Sequence, residues 1–288
     1  MKRVARRLLA ACLAAFAATL AHALVVTDER GVAVDLPRPP QRIVTVLPSL
    51  TESVCTLGAC DRIVGVDRYS NWPASVRALP QVGGGIDPNV EAIVALKPDV
   101  VLLARSSRVT DRLEALGLKV IVLEPKNHAD VRRVLDVLGR VLGVDDAQRV
   151  WRAIDASVSA AAQSVPQGAR HVRVYFEVNG GPYAAGESSF IGETLARLGA
   201  KNIVPASMGP FPKLNPEFVV RADPELIMVG ERSAQGLEQR PGWSRIQAVR
   251  SGRICRFTAD EADVLVRPGP RMGEAARLMA TCLAAKAK

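Results

Sequence analysis

Two glutamates hold the same place in two copies of one pattern. The stretch "NVEAIVALKPDVVLL" begins at Asn89 and "NPEFVVRADPELIMV" begins at Asn215, with Glu91 and Glu217 third in each. Each copy then reaches a proline, Pro98 or Pro224, followed at once by an acid and an apolar run. An acid so placed has an immediate use. Asn89 and Asn215 suit helix N-caps, Pro216 suits a first helical position, and a carboxylate in the first turn meets the positive end of the helix dipole. Each copy reads as a short helix, a break and a buried strand.

Other chemistry is sparse. Of three histidines, His22 lies in the leader, and His128 and His171 stand in no HxH or HExxH context. Capture of bare zinc or manganese wants clustered imidazoles and carboxylates, so no metal site is expected. "GESSF" (186–190) does not match a nucleophile elbow, and "GGG" (83–85) precedes no helix with GK[ST]. No nucleophile–base pair stands out. The residues favour binding over catalysis and imply no resident cofactor.

The chain's start suggests its compartment. Lys2, Arg3, Arg6 and Arg7 precede an apolar run from Leu8 to Leu20 and a small-x-small site, Ala21-His22-Ala23. This is the pattern of a secretory signal peptide over 1–23, cleaved before Leu24. A membrane anchor would need a longer run, and a lipid-attachment box at Cys12 would leave too few apolar residues before it. Of five cysteines, Cys12 leaves with the leader. Cys55, Cys60, Cys255 and Cys282 remain, an even set for an oxidising compartment. Three pairings are open; Cys55–Cys60 with Cys255–Cys282 is favoured for locality, against four buried thiols.

The formal net charge is +9, and four of the positive charges lie in the leader. The rest are scattered and Arg-rich, and aromatics make up only 4%. No basic block or stacking platform for nucleic acid exists.

These residues must be positioned by alternating elements. "RIVTV", "RIVGV", "DVVLLA" and "KVIVLE" read as strands, separated by helical segments that stop at Gly58, Lys97-Pro98 and Gly117. That alternation predicts a mostly parallel sheet over 24–143. "VDDAQRVWRAIDASVSAAAQSV" has no internal Gly or Pro and places Val150, Ile154 and Val158 four apart, a long helix assigned to 144–166. A second series, "HVRVYFEV", "SSFIGETLARLG", "ELIMVG" and "GRICRF", fills 167–288 and closes on a helix. The fold class is α/β: two lobes with mostly parallel sheets, bridged by one long stiff helix, with a cleft between them suited to a ligand.

"RIVTVLPSLTESVCTLGACDRIVGVDRYSNWP", "NVEAIVALKPDVVLL", "YFEVNGGPYAAGESSFIGETLARLGAKNIVP" and "RPGPRMGEAARLMA" together resemble the helical-backbone periplasmic binding proteins of the cobalamin and ferric-siderophore class, over roughly 40–285. The resemblance implies a periplasmic, monomeric protein that captures a small molecule and hands it to the permease of an ABC importer. It implies cobalamin as the transported ligand, with a ferric siderophore or other iron chelate as the alternative and haem less favoured. By the same resemblance Glu91 and Glu217 dock onto the permease. Tyr69, Tyr183 and Phe211 supply aromatic faces to the ligand, and Asp263 and Arg267 supply polar contacts. One departure is evident. Where the cobalamin binders carry a tryptophan ahead of the docking helix, this chain has Gly83-Gly84-Gly85. Arg68, Arg105 and Arg108 keep the iron-chelate alternative open.

Overall fold

A computed structural model describes residues 24–286; the leader expected over 1–23 lies outside them. An antiparallel hairpin, β1 (Leu24–Thr27) and β2 (Ala33–Leu36), opens the described chain and buries Val26, Val34 and Leu36. Then come β3 (Ile43–Thr45), α1 (Pro48–Thr56), β4 (Ile63–Val66), α2 (Val90–Ala95), β5 (Val100–Leu103), α3 (Thr110–Ala115), β6 (Val120–Val122) and α4 (His128–Leu142). The four strands form a parallel sheet in the order β4-β3-β5-β6. Helices cover both faces, so β5 is buried at every residue and reads as an unbroken apolar run.

Helix α5 (Gln148–Ser164) crosses to the second lobe. That lobe contains β7 (Arg173–Asn179), β8 (Tyr183–Ala184), α6 (Phe190–Arg197), β9 (Lys201–Asn202), α7 (Pro216–Ala222), β10 (Leu226–Gly230), α8 (Glu231–Ala234), α9 (Gln247–Arg250), β11 (Ile254–Phe257), α10 (Ala259–Leu265) and α11 (Met272–Lys286). Its sheet runs β11-β10-β7-β8, with β9 also on β7. Only β8 is antiparallel to its neighbour.

The bridging helix begins at Gln148, later than the expected 144. The cause is local. Gly143 adopts a left-handed φ of 71° and ends α4, with Val144 N–H donating back to the Gly139 carbonyl. Asp146 then accepts from the Arg149 N–H instead of joining the helix. Val150, Ile154, Val158 and Ala161 are buried, each larger side chain worth about 1.5–3 kcal/mol of burial. Their core is continuous with Ala276, Met279 and Leu283 of α11. The two helices lie so close that a Cβ on Gly273 would fall 2.4 Å from Ser157 Cβ. A connector embedded on this scale resists bending.

The repeated pattern is one structural unit, built twice. Asn89 Oδ1 caps the Ala92 N–H at 2.8 Å, and Asn215 Oδ1 caps the Glu217 N–H at 2.9 Å. Each helix ends in a non-glycine residue with left-handed φ, Lys97 at 46° and Asp223 at 44°. Each of these precedes proline, which disfavours a further helical residue. The acid after the proline reaches the strand beside it: Asp99 Oδ2 accepts from the Arg42 N–H, and Glu225 Oε2 from the Arg173 N–H. Arg42 and Arg173 return the contact by donating to the helix-end carbonyls of Leu96 and Ala222. A guanidinium thus closes the negative end of each short helix.

Two disulfides, Cys55–Cys60 and Cys255–Cys282, match the favoured pairing. The first ties the end of α1 to the turn entering β4; the second ties β11 to α11.

Candidate functional site

The carboxyl ends of β4, β7 and β10 lead into one space, the place where ligands of open α/β folds are received. A cleft of about 430 Å³ lies there. Arg68, Tyr69 and Asn71, in the loop after β4, form its first-lobe wall. Phe176–Val178 at the end of β7, Gly230–Ser233 after β10, and residues of α10 through Arg267 form the opposite wall. Tyr69 is 60% exposed, an uncovered ring facing a cleft.

A buried polar chain fixes the Tyr69 loop. The Tyr69 N–H donates to Asp67 Oδ1 at 2.8 Å, and the Ser70 hydroxyl donates to Asp67 Oδ2 at 2.6 Å. Ser70 also bonds Thr51, which bonds Thr45 on β3. Burial pushes the Asp67 carboxyl above the ordinary carboxylate value, against the pull of those hydrogen bonds.

Arg267 sits at the centre of a link between the lobes. It is 6% exposed. Its Nη1 donates to Glu52 Oε1 at 2.9 Å and to Asn71 Oδ1 at 2.7 Å; its Nη2 donates to the Tyr69 carbonyl at 3.0 Å and pairs with Asp263 Oδ2 at 2.7 Å. Asp263 Oδ2 also accepts from Asn71 Nδ2 at 2.8 Å. Glu52, on α1 and 1% exposed, further accepts from Arg271 Nε at 3.0 Å and Nη2 at 2.6 Å. Burial lowers the Arg271 pKa, but the bonds and charge of Glu52 outweigh it and hold it raised. The Arg271 guanidinium stacks 5.1 Å over the Trp72 ring. Four of the five N–H groups of Arg267 are therefore engaged by protein.

The second-lobe wall is braced from behind. Glu177 receives both Arg240 Nη groups, at 2.6 and 2.9 Å, and the Tyr175 hydroxyl at 3.0 Å. Burial, then the Glu177 charge, pushes the Tyr175 phenol far up. Arg240 lies 4.5 Å over the Trp243 ring.

The structure brings Tyr69, Asp263 and Arg267 to one cleft. Tyr183 and Phe211 do not line it: Tyr183 is on β8, bridged to Lys213, and Phe211 is half-buried against Phe190 at 5.8 Å. Glu91 and Glu217 begin α2 and α7, one per lobe, and both are exposed. Glu91 pairs with Arg112 at 2.7 Å; the Glu217 carboxylate makes no ion pair among the described residues. His128 lies outside the cleft, where Nε2 meets the Phe190 carbonyl and the Thr194 hydroxyl and its ring meets Trp151 edge-on. Glu52 carries no local signal in the sequence, because its partners lie 215 and 219 residues away. Among the described residues no group of His, Cys, Asp or Glu is placed to hold a metal ion, and no helix is long and apolar enough to cross a membrane.

Comparison with known proteins places this arrangement. The family model described as periplasmic binding protein matches residues 43–261. An uncharacterised ABC transporter substrate-binding lipoprotein of Bacillus subtilis is 27% identical over 87% of this chain and 82% of its own. A cobalamin-binding protein of Halobacterium salinarum is 32% identical over 70% of this chain; the match spans 57% of that protein's length. Two solved structures share the fold. The periplasmic vitamin B12 binding protein of Vibrio cholerae has a TM-score of 0.71 at 24% identity, covering 87% of this chain and 99% of that one. A periplasmic heme-binding protein from Pseudomonas aeruginosa has a TM-score of 0.72 at 26% identity, covering 86% and 94%.

Proposed function

This chain belongs to the periplasmic binding protein family, and from that premise we propose that it captures a corrinoid, cobalamin, in the cleft and delivers it to an ABC importer. The observation that carries the reading is the cleft: an exposed tyrosine on one wall, oriented polar groups on the other, and a stiff frame behind both. A flat, amide-fringed ligand needs a broad ring face and a few fixed donors and acceptors. The Halobacterium relative's name supports the corrinoid reading. The protein acts by binding and release, without catalysis and without a resident cofactor. It works as a monomer in the periplasm after loss of its leader.

Asp263 and Arg267 shape the cleft's edge, and Tyr69 supplies its ring. Tyr183 and Phe211 would reach ligand only as parts of neighbouring second-lobe loops. Glu91 and Glu217, one exposed acid per lobe, present paired anions to the permease.

Titration with cyanocobalamin, followed by intrinsic fluorescence, tests the ligand. Saturation at micromolar concentrations, weakened about tenfold or more by Tyr69→Ala, is expected. Saturation only by a ferric hydroxamate, a ferric catecholate or haem would replace the corrinoid with an iron chelate.

A further inference from the structure

The charged side chains of the cleft fall into two groups. Arg267, Asp263 and Glu177 already have partners of opposite charge within the protein. Arg68 does not: it lines the cleft, and no carboxylate bonds its guanidinium among the described residues. The opposite wall carries Arg232, Glu231 and Asp260, whereas the first-lobe wall carries Arg68 and no acid.

Arg68 is also held in place. Its N–H donates to the Gly83 carbonyl at 2.8 Å, which fixes the residue against the glycine run. Its guanidinium passes over Gly84, 3.7–3.9 Å from where a Cβ would stand, and lies 6.0 Å from the Tyr69 ring. A Cβ at 84 would therefore stand in van der Waals contact with the guanidinium. A planar cation without a protein carboxylate and an open ring thus meet on the first-lobe wall of the cleft. That is the chemistry of an anion seat beside a flat face.

We propose that Arg68 determines specificity by seating an anionic group of the ligand, a phosphodiester or a carboxylate, beside Tyr69. The inference rests on the corrinoid reading for the phosphodiester and is independent of it for the carboxylate. A corrinoid favoured by this cleft carries its nucleotide loop, and an iron chelate favoured by it carries net negative charge.

The test uses the mature chain and its Arg68→Gln variant against four probes. Cyanocobalamin has the phosphodiester and dicyanocobinamide lacks it; ferric citrate is an anionic chelate and ferrioxamine B is not. The unaltered protein should prefer the member that carries the anionic group, in whichever pair it binds, by roughly ten- to a hundredfold, as a charge-assisted bond supplies. Arg68→Gln should bring that ratio close to one, and added salt should narrow it in the unaltered protein only. Parallel weakening of both members, with the ratio kept, would mean Arg68 only shapes the loop and would overturn the inference. Binding of ferrioxamine B or dicyanocobinamide alone would overturn it too. Binding of ferric citrate alone, with the ratio lost in the variant, would sink the corrinoid reading and leave the anion seat standing.

Discussion

Removing the Glu52 carboxylate should loosen the joint between the lobes more than any single change on the surface. Glu52 accepts three hydrogen bonds from two arginines of the other lobe, at 2.9, 3.0 and 2.6 Å. Taking away one member of a buried ion pair costs about 3–5 kcal/mol, because the other is left charged without its partner. Here two cations would be left, but neither wholly alone. Arg267 keeps Asp263, Asn71 and the Tyr69 carbonyl, and Arg271 keeps the Trp72 ring. Glu52→Ala should therefore fall near the lower end, about 3 kcal/mol. At about 2–4 °C per kcal/mol for a chain of this size, Tm should fall by roughly 6–12 °C. Urea denaturation of Glu52→Ala, Arg267→Met and the double variant forms the assay. The double variant should regain part of the loss, because Arg267 leaves with its partner while Arg271 still lacks the carboxylate. A loss under about 1 kcal/mol, with additive single effects, would place the pair with weak surface bridges and refute the joint.

Three further expectations follow from the structure. Loss of Cys255–Cys282, which closes a separation of 27 residues, should cost about 3.6 kcal/mol on chain entropy; loss of Cys55–Cys60, closing 5, should cost about 2.1. Serine double variants in urea would show that order, and equal costs would count against it. His128 has its pKa lowered by burial from the ordinary 6.5, with Glu193 and Asp155 opposing and Arg197 assisting. The unfolded chain then binds a proton that the folded chain refuses, so stability should decline as pH falls from about 6.5 toward the lowered value; Tm against pH should flatten there in His128→Gln. Reversing Glu91 and Glu217 together to lysine should abolish uptake while cyanocobalamin affinity is kept, and uptake that persists would leave both acids only their helix-start role.

The doubled pattern was readable because its causes are local: an Asn cap, an apolar face, and a residue forced left-handed ahead of proline at both Lys97 and Asp223. What closes each copy was not readable. Arg42 reaches Leu96 and Arg173 reaches Ala222, contacts that only the assembled sheet creates. An arginine entering the first strand of each half, "RIVTV" and "RVYFEV", was the available signal. The site was legible in the same uneven way. The family resemblance points to Tyr69, and that residue lines the cleft. The same resemblance points to Arg267, which also lines the cleft, but no local pattern signals that Glu52, Asn71, Asp263 and the Tyr69 carbonyl already occupy its donors. Tyr183 and Phe211 share the second lobe with the cleft, yet chain proximity did not bring their rings to its lining. The bridging helix starts four residues after the expected 144, because cap chemistry at Gly143 and Asp146 competes with helix propensity.

The most direct test is to purify the protein from the periplasm of its own cells and record the absorbance spectrum of what comes with it. A corrin spectrum, with cobalt at one atom per chain, is the result expected. A haem Soret band or the charge-transfer band of a ferric siderophore, with iron in place of cobalt, would contradict it.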